Sequence, residues 1–103
     1  MKKIVNLIPE TTVRLYSCKA TVSKDGFISY CTPIVVITDE CINMHLVHTS
    51  TTMMHTRKYV QFLREHGEKA TADIVEGLYR LCIDKRANYA AYTFEDGAMS
   101  VIE

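Results

Sequence analysis

Apolar residues change their spacing twice along this chain, and that change limits the folds open to it. Up to about residue 47 the sequence is rich in β-branched residues and broken by turn residues. Residues 56–82 switch to a helical period. From residue 89 to the end the spacing suits strands again.

Residues 3–8 predict a first strand, ended by Pro9, and residues 13–22 a second. The turn "SKDG", residues 23–26, carries Asp25-Gly26, a strong hairpin signal. Residues 27–37 predict a third strand. Pro33 lies inside it and implies an edge, a bulge or a break. Ile34 to Ile37 form an unbroken apolar run, which predicts cover on both faces. After "TDE", residues 41–47 return as a fourth strand. In the first helix Thr56, Tyr59, Val60 and Leu63 fall on one stripe, and Gly67 is a natural stop. In the second, Thr71 suits the cap. Ile74, Val75, Leu78, Leu81 and Cys82 make the stripe. Gly77 interrupts it, at a cost unless something packs close. Residues 89–94 and 98–102 predict a terminal hairpin around Asp96-Gly97.

The expected fold is therefore α+β, one domain over residues 1–103. An antiparallel sheet, built from an N-terminal meander and a C-terminal hairpin, carries two helices on one face. Its other face stays open and is the natural binding surface. A chain of 103 residues with 48% apolar content can bury such a core.

Charge narrows the function classes. Twelve Lys and Arg balance twelve Asp and Glu, so the basic excess of a dedicated duplex binder is missing. The second helix presents Asp73, Glu76, Arg80 and Asp84 off its stripe, too acidic for a recognition helix. Near-zero net charge does little to keep copies apart, which favours a protein partner or a homo-oligomer. The apolar run at the N-terminus is too short for a signal peptide, and no run is long enough to span a membrane. A cytoplasmic location is expected. The cysteines at 18, 31, 41 and 82 form no C-x-x-C and read as reduced, buried thiols.

Catalytic and metal motifs are weak. Cys41, His45 and His48 have ligand chemistry, but strand geometry sends His48 to the opposite face from the other two. No short motif couples a Cys or Ser to a His, and no glycine-rich phosphate loop occurs. No enzyme, metal or cofactor is predicted.

Two polar clusters remain. In "HTSTTMMHTRKYVQFL", Thr51 or Thr52 suits the N-cap of the first helix, and His55 follows one turn later. Arg57 and Lys58 add charge, so this helix start could hold a phosphate or carboxylate. The plainer reading is a Thr cap with a surface His. In "SYCTP", strand alternation sends Ser29 and Cys31 one way, and Tyr30 and Thr32 the other. Tyr30 would then be a binding anchor on the sheet, supplemented by Tyr89 and Tyr92.

Together, "SYCTPIVV" and "TTMMHTRKYVQFL" resemble a small family of phage and mobile-element proteins of gut bacteria. Its pattern is Ser-Tyr-x-Thr with an aliphatic strand, then Thr-Thr-x-x-His opening a helix that ends in an aromatic-Leu pair. Ser29, Tyr30, Thr32, Thr51, Thr52, His55, Phe62 and Leu63 match it. His48-Thr49 and Met53-Met54 depart from it, the latter losing a basic residue. The resemblance implies a viral or mobile-element origin, where small proteins of this length often inhibit host machinery. The expected function is a non-enzymatic binding protein that occupies a host defence protein. The competing expectation is a nucleotide or single-stranded nucleic-acid binder using Thr51, Thr52, His55 and Arg57 for phosphate and Tyr30 or Tyr92 for stacking. The residues proposed for binding are Tyr30, Thr32, Thr51, Thr52, His55 and Arg57.

Overall fold

In the computed structural model, residues 13–15, 20–23, 25–29 and 32–102 are described. They form seven strands and two helices, an α+β fold. The strands are β1 (Val13–Leu15), β2 (Ala20–Ser23), β3 (Gly26–Ser29), β4 (Thr32–Ile37), β5 (Cys41–His45), β6 (Tyr89–Thr93) and β7 (Ala98–Val101). Helices α1 (Ser50–Glu65) and α2 (Lys69–Lys85) lie between β5 and β6 in the chain. The sheet is antiparallel throughout and its spatial order is β1 to β7 in sequence order. It is thus a meander plus a C-terminal hairpin, with the helices packed on one face.

Two predicted strands are each split. Residues 13–22 form the β1–β2 hairpin, with Val13 opposite Val22. Residues 27–37 form β3 and β4, with Ser29 opposite Thr32. β-branched composition reports strand propensity but not where a chain reverses. The predicted strand at residues 3–8 lies outside the described residues.

The Asp25-Gly26 turn is where the sequence places it, with Ser23 opposite Gly26. Gly26 has φ +143°, and a Cβ there would sit 1.9 Å from the Val35 carbonyl oxygen. Only glycine fits. Farther along, Phe27 faces Val35 but Ile28 faces Pro33, so the register slips by one residue at Ile34. Proline cannot donate to a ladder, and the irregularity falls beside it. The bulge lets Ile34 and Val35 both be buried. Val36 is 42% exposed, so the apolar run is not covered on both faces.

α1 is capped by Thr49, not by Thr51 or Thr52: its side chain accepts a hydrogen bond from the Thr52 N–H at 3.3 Å. Gly67 follows its end with φ +79°, and the Glu68 N–H donates to the Leu63 carbonyl at 2.8 Å. α2 begins after Glu68 without a side-chain cap, and Thr71 is instead buried in its first turn. Gly77 meets the tip of Met99, whose Cε would lie 2.5 Å from an added Cβ. The close packing that Gly77 implied is therefore against β7. Tyr59, Leu63, Val75 and Leu78 from the helices pack on Phe27, Val35, Ile42, Met44 and Ala90 from the sheet. Phe27 and Tyr59 stack with centroids 4.8 Å apart.

Candidate functional site

The start of α1 was the strongest polar feature of the sequence. His55 is only 3% exposed, because it points from α1 towards the sheet. Its Nδ1 is 2.8 Å from the Ser29 hydroxyl oxygen on β3, itself 2% exposed. Either group can donate, according to the imidazole tautomer. The hydrogen bond thus joins the two halves of the motif, 26 residues apart in sequence. Ser29 and His55 have the residue types of a nucleophile and base, but burial withholds the hydroxyl from a substrate. The pair pins α1 to β3.

The other site residues disperse. Thr52 is buried, and its carbonyl accepts the Thr56 hydroxyl at 2.8 Å. Thr51 is exposed on the first turn of α1. Arg57 is also exposed and donates to the Tyr79 hydroxyl at 2.9 Å, beside Val60, Glu76 and Arg80 in a small groove of ≈300 Å³ between the helices. Thr32 is half-buried. It sits across from Ser29, so the two share a face of the sheet. Counting along one continuous strand puts them on opposite faces, and the break between β3 and β4 reverses that assignment. Tyr30 lies outside the described residues. Tyr92 is half-buried and meets Phe94 edge-on. Tyr89 is 50% exposed.

No group of three His, Cys, Asp or Glu among the described residues is placed to hold a metal ion. Cys41 and His45 share the outer face of β5. His48 lies beyond that strand and donates through Nε2 to the Ala87 carbonyl at 2.6 Å. Cys41 and Cys82 are free thiols, and burial pushes the Cys82 thiol above its ordinary pKa. Cys18 and Cys31 lie outside the described residues.

A different surface stands out once the sheet is assembled. The face away from the helices is lined by Ile28, Pro33, Val36, Asn43, Ala91 and Ser100 along its middle. Register places them side by side: Ile28 faces Pro33, Val36 faces Asn43, Asn43 faces Ala91, and Ala91 faces Ser100. Ile28 is 40% exposed. At one end of the face His45 and Tyr89 stack with centroids 4.5 Å apart. Strands β3 to β7 contain no Lys, Arg, Asp or Glu at all. This was readable in the sequence, but only as a property of five separate segments. Nothing in one segment says that the others lie beside it.

The described ion pairs lie on the helices. Arg64 bonds Asp73 and Glu76, at 2.9 and 2.8 Å, and Glu76 also takes Arg80, on the outer side of the helices. The Arg64 hydrogen bond, then that of Arg80, holds the Glu76 carboxyl below its ordinary pKa. Asp39, Glu40, Glu95 and Asp96 gather around a cleft where the β4–β5 and β6–β7 turns meet. No helix among the described residues is long and apolar enough to cross a membrane. Comparison with family models, with curated proteins and with solved structures gives no match.

Proposed function

We propose that this chain is a small non-enzymatic binding protein that occupies a partner protein with the open face of its sheet. The observation that carries this reading is the uncharged, partly apolar surface of β3 to β7 around Ile28 and Val36. Exposed apolar patches rimmed by polar residues favour protein partners. Tyr89 at the end of the face adds an aromatic anchor of the kind that dominates protein interfaces. The resemblance supplies the class of partner: a host protein, here a component of defence against phages or mobile elements, inhibited by direct binding.

Phosphate recognition has less support. A nucleotide or single-stranded nucleic acid needs cationic or N–H groups open to solvent, whereas Thr52 and His55 are buried and the open face has no cation in β3 to β7.

The test is capture from a lysate of the bacterial host, using wild type, Ile28→Glu and Val36→Glu. Both positions are exposed, so the variants should keep the native melting temperature. A host protein retained by wild type and lost with both variants supports the reading. Equal retention by all three overturns the role of this face. A rise in melting temperature with a nucleotide, and no captured protein, would favour the alternative.

A further inference from the structure

From the edge of β7, which no strand among the described residues covers, we infer that two copies of this chain pair through that strand, joining their sheets into one. β7 ends the sheet, and no strand among the described residues pairs with its outer side. The Ile102 N–H donates to the Tyr89 carbonyl at 2.9 Å. Antiparallel alternation then turns Ser100 and Ala98 towards β6 as well. It leaves the N–H and C=O groups of Met99 and Val101 pointing outward. Such edges are normally blunted by a lysine, a proline or a bulge. β7 reads Ala-Met-Ser-Val, has none of the three, and pairs with β6 in unbroken register.

The outward groups are self-complementary. A two-fold axis through Ser100, perpendicular to the sheet, sets Met99 of each copy opposite Val101 of the other. All four outward residues then exchange backbone hydrogen bonds, the isologous contact of a symmetric dimer. Side chains fit the same arrangement. On the helix side, Leu81, Met99 and Val101, with Lys85 and Arg86, border an open cleft of ≈680 Å³ between α2 and β7. Met99 is 38% exposed there, and Ile102, on the Ser100 face of the strand, is 47% exposed. Pairing would bring the second copy's Met99 and Val101 to the mouth of this cleft. Helix α2 contacts β5, β6 and β7 and so is centred on β6. With strands ~4.8 Å apart, the two α2 axes would stand about 14 Å apart. That exceeds the ~8–10 Å of direct helix packing, so nothing collides and side chains have room to fill the gap. Formal net charge is zero, so whole-molecule repulsion does not oppose association. Because the axis is perpendicular to the sheet, both open faces would lie on the same side, making a two-sited surface.

Sedimentation equilibrium on the full chain tests this, with Ser100→Lys, Ser100→Cys and Ala98→Cys. Ser100 is exposed, so its substitution should leave the melting temperature of the monomer unchanged. Wild type should show twice the chain mass. Ser100→Lys, which sets two ammonium groups face to face on the axis, should run as a monomer at the same concentration. The two Ser100→Cys thiols would meet with Cα atoms ~4.5 Å apart, within disulfide range, and should cross-link on mild oxidation. The two Ala98→Cys thiols would be about 14 Å apart and should not exceed the wild-type background. A monomeric wild type overturns the inference. So does a Ser100→Lys dimer, or cross-linking of Ser100→Cys no faster than Ala98→Cys.

Discussion

Replacing Ser29 by alanine should destabilise the fold, because the Ser29 hydroxyl and His55 Nδ1 meet at 2.8 Å where neither side chain is more than 3% exposed. The substitution takes a buried partner from the imidazole. Such a loss costs about 1–3 kcal/mol, more than the bond itself contributes, since the imidazole remains desolvated. A mid-range loss of ~2 kcal/mol lowers the melting temperature of a domain this size by roughly 8–16 °C. His55→Ala should cost more, because it also opens space beneath α1. The pair should be strongly coupled. In a double-mutant cycle followed by urea unfolding, the two losses should fall short of additivity by about 1 kcal/mol or more. Additivity within ~0.3 kcal/mol would refute the claim that this bond fastens α1 to β3. So would a Ser29→Ala protein as stable as wild type.

Four further tests separate structural constraints from permissive positions. Gly26→Ala should be severely destabilising, by about 2 kcal/mol or more, since its Cβ would strike the Val35 carbonyl. Gly77→Ala should be tolerated or stabilising by up to ~1 kcal/mol, because only the flexible tip of half-exposed Met99 must move; urea midpoints measure both. Burial, and then the charge of Glu68, push the Tyr59 hydroxyl well above its ordinary value of 10.0. Above about pH 10 the unfolded state therefore loses a proton that the folded state keeps, so stability should fall as pH rises, and Tyr59→Phe should flatten that part of the profile. Lastly, Cys82 is fully buried with a raised thiol pKa, whereas Cys41 is partly exposed. Alkylation of the native protein, read by mass spectrometry, should label Cys41 well before Cys82.

Sequence reasoning located much of this fold because several signals were local. Asp25-Gly26 demanded a tight turn, Gly67 a helix end, and the stripes of α1 and α2 a common buried side. Strand limits were less legible. Residues 13–22 and 27–37 are favourable to strand along most of their length, and their reversals leave no Asp-Gly or Asn-Gly mark. That error passed on to the site. With 27–37 read as one strand, Thr32 fell on the far side from Ser29; the reversal makes them neighbours. Sequence does not single out Thr49 as the cap because four successive residues, Thr49, Ser50, Thr51 and Thr52, have the same capping chemistry.

The amino-acid sequence by itself determined the order of strands and helices, the face each helix buries, and the absence of charge from β3 to β7, since all of these follow from residue type and short-range spacing. Only the tertiary structure decided what those features mean together. His55 has the sequence context of a surface ligand at a helix start, yet α1 lies so that it meets Ser29 in the interior. Five uncharged segments become one surface only when the meander sets them edge to edge. The physical reason is the same in both cases. Exposure is not a property of a residue or of its neighbours in the chain, but of what the rest of the molecule places against it.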